Sequence, residues 1–261
     1  MKKIIAVILA ALMLTTVLVG CGASGKTLDD IKSAGKLVVA TSPDFPPFEG
    51  LTDGGEVEGI EIDVLKVVCE KLGVELDIQT MDFDSVLLGI GAGKYDLGAS
   101  GISITPSREK NVLFTDPYCL AAQAIVVAEG SPIASKADLT GKTVSVQTGT
   151  TAEEYCMGEG YTVSAFAANN DAQMAMVQGK VDAWVIDDLT AAAMVEAYNA
   201  SHDDKLVILS EAMTTEPYAF AFSKGSEELV AEVNKIINEM IDDGTIESIF
   251  VKFNAPYTSA K

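Results

Sequence analysis

Tyr95-Asp96-Leu97-Gly98-Ala99-Ser100-Gly101-Ile102-Ser103-Ile104-Thr105-Pro106-Ser107-Arg108 reads as a strand that runs through a glycine turn into a helix start. Tyr95 to Ala99 is the apolar, strand-like part. Thr105 is a good N-cap and Pro106 suits the first helical position, so a helix is predicted to begin here with Arg108 in its first turn. Arg108 is the only arginine in the chain, against 17 lysines. A guanidinium holds a carboxylate through two parallel hydrogen bonds, which an ammonium does not. Ser103 offers a hydroxyl beside it, and Gly101 lets a ligand approach the backbone. A plain surface position is also compatible with one arginine, although a cation there works against the helix dipole.

The same alternation flanks this stretch on both sides. Thr27 to Ala34 reads as a short capped helix and Leu37 to Thr41 as a buried strand. Ser42 to Glu49 is a proline-rich loop in which Pro43, Pro46 and Pro47 interleave with Phe45 and Phe48. Ile60, Val64, Leu65, Val68, Cys69 and Leu72 recur at helical spacing, and Gly73 stops that helix. Val74 to Gln79 alternates as a strand, and a helix capped by Asp84 or Ser85 runs to Ala92. Beyond Arg108 a strand covers Ala124 to Ala128. The rhythm then restarts: Gly141-Lys142 introduces the strand Thr143 to Gln147, as Gly35-Lys36 introduced the first strand. Gly179-Lys180-Val181-Asp182 opens an apolar strand, as Gly93-Lys94-Tyr95-Asp96 does earlier. A strand from Tyr218 to Ser223, a helix from Glu227 to Ile241, and a last helix carrying Ile246, Ile249, Phe250 and Phe253 close the chain. Strand and helix in this order predict an α/β fold with largely parallel sheets, arranged as two lobes of similar topology.

The second lobe carries its own candidate site. Gln147-Thr148-Gly149-Thr150-Thr151 lies between a strand and a helix, with Thr151 and Glu154 spaced as a capping box. A glycine loop feeding a helix N-terminus favours an anion, and it also serves simply as a cap. Trp184-Val185-Ile186-Asp187-Asp188 ends a strand in carboxylates, where ligands of open α/β sheets sit. Asp187 suits an ammonium; either Asp187 or Asp188 also suits the N-cap of the next helix.

The N-terminus reads as a secretory leader. Lys2 and Lys3 precede sixteen uncharged residues, Ile4 to Val19, and then Leu18-Val19-Gly20-Cys21. The apolar stretch is short for a membrane span. Residues 1–20 are therefore assigned to a signal peptide and 21–26 to a tether. Removal of the two lysines takes the formal charge from −20 to −22, a surface that repels nucleic acid and anionic headgroups. About 240 residues remain, enough for one large domain or two small ones. Cys69, Cys119 and Cys156 match no zinc spacing, and no metal or cofactor is expected. Cys69 falls on an apolar helix face; pairing of Cys119 with Cys156 is left open.

Taken together, the motifs resemble the family 3 extracellular solute-binding proteins, the polar amino acid receptors of ABC importers. They are DFPPFE at Asp44 to Glu49, GIEIDV at Gly59 to Val64, GISITPSRE at Gly101 to Glu109, FTDPY at Phe114 to Tyr118 and QTGTT at Gln147 to Thr151. DGTIESIF near Asp243 also matches the family's closing helix, and the likeness runs from Leu37 to Phe253. The Leu-x-Gly-Cys end of the leader resembles a lipobox, which implies a lipid on Cys21. The resemblance implies a two-lobed, type II periplasmic-binding-protein-like fold, each lobe a mostly parallel sheet flanked by helices. Lobe 1 would comprise 27–117 plus 218–261 and lobe 2 123–213, with hinges at 118–122 and 214–217.

It further implies a ligand carboxylate on Arg108, Ser103 and the backbone N–H groups of Thr148, Gly149 and Thr150. The ammonium would sit on Asp187 and the carbonyl of Ser100 or Gly101, with Ile102 in the same strip. Phe45 and Phe83 would wall the side-chain pocket, with Phe48 behind them or simply in the core. Some members carry an acid where this chain has Ser42 and a lysine where it has Gln147, so Gln147 and Ser42 lean towards a neutral polar side chain such as glutamine. Asp44 and Glu49 nearby keep lysine or arginine open.

The expected function is capture of a free L-amino acid for a membrane permease, by a monomer outside the cytoplasm that meets the membrane only through its lipid. The alternative is an enzyme on the same scaffold, a prephenate- or arogenate-type dehydratase. His202, the single histidine, sits in a polar loop, so no Ser-His or Cys-His nucleophile is expected. A surface sensor would call for a signalling segment beyond Lys261, and none is expected.

Overall fold

The computed structural model describes residues 25–261; the leader and Cys21 lie outside the described residues. Helix α1 (Leu28–Ala34) starts at a reciprocal cap, in which the Thr27 hydroxyl accepts from the Asp30 N–H and the Asp30 carboxylate accepts from the Thr27 N–H. Strand β1 (Lys36–Thr41) follows, then the small hairpin β2 (Gly50–Leu51) and β3 (Val57–Glu58). Helix α2 (Ile60–Leu72) buries Ile60, Val64, Leu65, Val68 and Leu72 and ends at Gly73 in the left-handed region, as its spacing predicts. Strand β4 (Glu75–Thr80), helix α3 (Phe83–Gly91), strand β5 (Leu97–Gly98) and strand β6 (Val112–Phe114) complete this part of the first lobe.

The second lobe contains β8 (Gln123–Ala128), β9 (Thr143–Gln147), α4 (Thr151–Gly158), β10 (Thr162–Phe166), α5 (Asn169–Val177), β11 (Ala183–Asp187), α6 (Asp188–Ser201) and β12 (Leu206–Ile208). The chain enters it through β7 (Cys119–Ala121) and leaves through β13 (Glu216–Tyr218). These two pair antiparallel, Glu216 opposite Ala121 and Tyr218 opposite Cys119, as a two-strand ribbon between the sheets. Strand β14 (Ala221–Ser223) returns to the first sheet; α7 (Glu227–Asp242) packs on that sheet, and α8 (Thr245–Lys252) packs against α7 and α2. Leu229, Val233, Ile236, Ile237 and Met240 form the buried stripe of α7.

The sheet orders are β4-β1-β5-β14-β6 and β10-β9-β11-β8-β12. In the first, β14 alone runs against its neighbours; in the second, β8 does. Each sheet is thus mostly parallel and carries helices, the two-lobed α/β architecture expected. Four local expectations are corrected. No α-helix begins at Thr105: one tight turn, Arg108–Lys110, is followed at once by β6. The Thr105 hydroxyl does accept from the Arg108 N–H, at 3.2 Å, so the cap exists without its helix. Tyr218 to Ser223 is two strands rather than one, because Tyr218 belongs to the ribbon and Ala221 to the first sheet. The strand expected over Tyr95 to Ala99 shortens to Leu97–Gly98. The cap of α4 is Thr150, one residue before the predicted Thr151, and its hydroxyl accepts from the Glu153 N–H at 3.2 Å. Cys69, Cys119 and Cys156 are all buried free thiols, so the pairing left open does not form.

Candidate ligand site between the lobes

A tight space with a free volume of about 10 Å³ lies between the two sheets, lined by Phe45, Phe83, Ser100, Gly101, Ser103, Arg108, Gln147, Thr150, Thr151 and Asp187. An adjoining space, also of about 10 Å³, continues from Phe45, Gln147 and Thr150 to Asn169. Both lobes supply walls at the C-terminal ends of strands, where the connecting loops are free to carry function.

From the first lobe comes the strip after β5. Gly101 has φ +54°, and a Cβ there would stand 2.5 Å from the Phe45 ring; the turn needs glycine both for its backbone and for that contact. The Arg108 guanidinium donates Nη1 to the Ser103 carbonyl at 2.9 Å and Nη2 to the Gly149 carbonyl of the second lobe at 3.2 Å. It lies over the Phe83 ring, 5.6 Å from its centroid. Among the described residues Arg108 has no carboxylate ion-pair partner. Burial pushes its pKa down, partly offset by Glu216, Asp187 and Glu154. The tight turn places the fork: a longer helix at Thr105 would carry Arg108 around its axis, whereas one turn leaves it beside Ser103.

From the second lobe comes the turn after β9. The Gly149 N–H already donates to the Glu153 carboxylate at 2.7 Å, which corrects its expected place among the free donors. The Thr148 hydroxyl donates to the Phe166 carbonyl and lines neither space. The N–H groups of Thr150 and Thr151 have no acceptor among the described residues, so the helix N-terminus is open at these two positions. Gly149, at φ +80°, lies so close to Asp84 of the first lobe that a Cβ would stand 3.1 Å from the Asp84 side chain. Ile102 is also displaced from its expected role: its side chain is fully buried with Phe83, Val86 and Ile90.

Opposite Arg108 stands Asp187, at the end of β11. Asp187 takes the N-cap position of α6, and the two acids make different contacts there. Asp188 Oδ1 accepts from the Leu189 and Ala122 N–H groups, while the Asp187 side chain makes no cap bond. Asp187 Oδ1 accepts instead from Gln123 Nε2 at 2.9 Å, its cross-strand neighbour on β8. Burial, then the charge of Glu216, holds its carboxyl well above the usual aspartate value.

Asp44 ties the side-chain end of the cavity together. It accepts from the Ser42 hydroxyl at 3.0 Å, from Gln147 Nε2 at 3.0 Å and from the Asn169 N–H at 2.8 Å, the last two across the lobes. Burial raises its pKa against these bonds. Asn169 is a site residue that the sequence does not reveal. Thr151 was legible as the residue after the glycine turn, but nothing local marks Asn169.

The matching family model, bacterial extracellular solute-binding proteins, family 3, covers residues 37–256. The arginine-binding extracellular protein ArtP of Bacillus subtilis (strain 168) is 34% identical over 259 residues, covering 97% of this chain and 98% of that protein. Among solved structures, an ancestral arginine-binding protein bound to glutamine superposes with a TM-score of 0.80 at 38% identity, covering 85% of this chain and 99% of that one. The ancestral amino acid-binding protein AncCDT-1, a precursor of cyclohexadienyl dehydratase, does so with a TM-score of 0.80 at 33% identity, covering 87% and 98%. The family match, the near full-length relative and the two-lobed architecture agree: this chain belongs to the bacterial extracellular solute-binding proteins of family 3.

Proposed function

We propose that the chain captures a free polar L-amino acid between its lobes and delivers it to an ABC importer. The observation that carries the reading is a half-buried arginine with no carboxylate and a buried aspartate with no cation among the described residues, both lining one cavity. Unpaired buried charges are costly, and a zwitterion neutralises both. The ligand carboxylate then meets Arg108, Ser103 and the N–H groups of Thr150 and Thr151. Its ammonium meets Asp187 and the Ser100 carbonyl, and Phe45 and Phe83 flank its side chain. Gln147 and Asn169, with Asp44 behind them, meet the side chain's polar end. Residues 123–213 would move as a body about the β7–β13 ribbon, and the Arg108–Gly149 and Asp44–Asn169 bonds would hold the closed state.

A thermal-shift screen over the amino acids tests this. A ligand at 100 times its Kd adds about 2.7 kcal/mol, which at about 2–4 °C per kcal/mol for a chain of this size is a rise of roughly 5–10 °C. The relatives named above put arginine and glutamine first in the screen. No shift with any amino acid, together with a shift from a sugar or a peptide, would refute the reading. The relation to a dehydratase precursor keeps one enzymatic reading in view, and loss of water from prephenate or arogenate is the assay for it. The single histidine stands outside the cavity, stacked on Tyr198 at the end of α6.

For the N-terminus we propose a lipid on Cys21 that holds the monomer at the outer face of the membrane beside its permease. Mass spectrometry of the membrane fraction is expected to find a diacylglyceryl group on that residue. An unmodified chain starting elsewhere would exclude the anchor. No helix among the described residues is long and apolar enough to cross a membrane.

A further inference from the structure

Directly behind the strip that lines the cavity lie two glutamates with no exposed surface, Glu49 in the proline-rich loop and Glu61 in the first turn of α2. Neither has an ion-pair partner among the described residues. The titratable groups facing them are Asp44 beside Glu49 and Tyr118 and Cys119 beside Glu61, none of them a cation. Glu61 receives donors on both oxygens: the Tyr118 hydroxyl on Oε1 at 2.6 Å and the Gly101 N–H on Oε2 at 3.2 Å. Glu49 Oε1 accepts from the Ser100 hydroxyl at 2.8 Å. Its Oε2 is buried with no hydrogen-bond partner among the described residues, and the two carboxyls anchor on consecutive residues, Glu49 on the Ser100 hydroxyl and Glu61 on the Gly101 N–H.

We propose that Glu49 and Glu61 share one proton, held on Glu49 Oε2 and donated to Glu61, and that the pair positions the Ser100–Gly101 peptide that receives the ligand ammonium. Two carboxylates in contact in an apolar interior cannot both ionise, and they titrate as a unit. Burial raises both. Glu61, as the anion, fixes the Gly101 N–H inward. In a trans peptide the carbonyl points the opposite way, so the Ser100 oxygen, which accepts nothing from the described chain, is turned away from the pair and towards the cavity. A single negative charge is thereby held behind the peptide, where it favours a cation in front.

The positioning half rests on the amino acid reading above; the proton-sharing half does not, and the two are tested separately. Infrared spectra of the ligand-free Asp187→Asn variant, which lacks the other strongly raised carboxyl of the site, should show a protonated carboxyl C=O band at neutral pH. Adding Glu49→Gln should remove it. A missing band, or one that survives Glu49→Gln, overturns the sharing. Titration with L-arginine and L-glutamine reads the positioning. Glu49→Gln presents the same acceptor to Ser100 and the same donor to Glu61, so Kd should stay within about threefold of wild type. Glu61→Gln sets an amide N–H₂ against the Tyr118 or Gly101 donor and should weaken binding by about tenfold or more. Equal losses in both variants, or a preserved Glu61→Gln, overturn the assignment. If no amino acid binds the wild type, the positioning half falls with the functional reading, while the infrared result still decides the proton.

Discussion

Arg108→Lys is expected to weaken amino acid binding by about 100-fold while leaving the fold intact. The guanidinium has five donors in a rigid fork, and two of its nitrogens already hold backbone carbonyls, Ser103 on one lobe and Gly149 on the other. The remaining donors supply the ligand carboxylate. Lysine keeps the charge but offers one point donor, so at least one charge-assisted bond to the ligand is lost, worth about 1.5–3 kcal/mol. The cross-lobe bond to Gly149 adds about 0.5–1.5 kcal/mol to the closed state. Their sum spans roughly 30-fold to more than 1,000-fold in Kd. The fold should tolerate the change, because Arg108 sits in a half-buried single turn rather than in a helix interior. Calorimetric titration of both proteins decides the matter. A mutant Kd within about threefold of wild type would show that Arg108 is an ordinary surface residue.

Asp187→Asn is the second large effect, and it should separate function from stability. Loss of the anion leaves the ligand ammonium buried without a counter-charge, which costs roughly 3–5 kcal/mol, or more than about 100-fold in Kd. The ligand-free protein should nevertheless become more stable. Burial and Glu216 hold the Asp187 carboxyl well above its unfolded value of 3.8. Between those two values the native state binds more protons than the unfolded chain, so stability falls as pH rises through that window. At neutral pH the wild type therefore carries a penalty that asparagine lacks, and the amide oxygen of the introduced asparagine can still accept from Gln123. Melting curves of the two ligand-free proteins should show a higher Tm for the variant at pH 7 and convergence as pH falls towards 4. A variant that binds as well as wild type, or melts lower at neutral pH, would remove Asp187 from the ammonium subsite.

These two residues also mark the boundary between local and tertiary information. The amino acid sequence by itself determined what depends on neighbours three or four positions away. The Thr27–Asp30 cap, the apolar stripes of α2 and α7, the glycine stop at Gly73 and the alternation of strand and helix are all of that kind, and together they imply two α/β lobes. Arg108 stood out by count alone. Helix α5 was not legible, because Asn169 to Val177 has almost no apolar periodicity; it is held by its burial against β9 and β11.

Only the tertiary structure decided the pairings that span long separations. Arg108 meets Gly149 across 41 residues and Asp44 meets Asn169 across 125. Asp187 faces the cavity and Asp188 the β7–β8 junction because Gln123 and Ala122 of the crossing chain claim one carboxylate each. Thr105 caps a turn rather than a helix because β6 must start at Val112 to pair with β14. Nothing local in the sequence marks Glu49 and Glu61 as buried away from water, since a carboxylate's protonation is set by what surrounds it in space and not by what adjoins it in the chain.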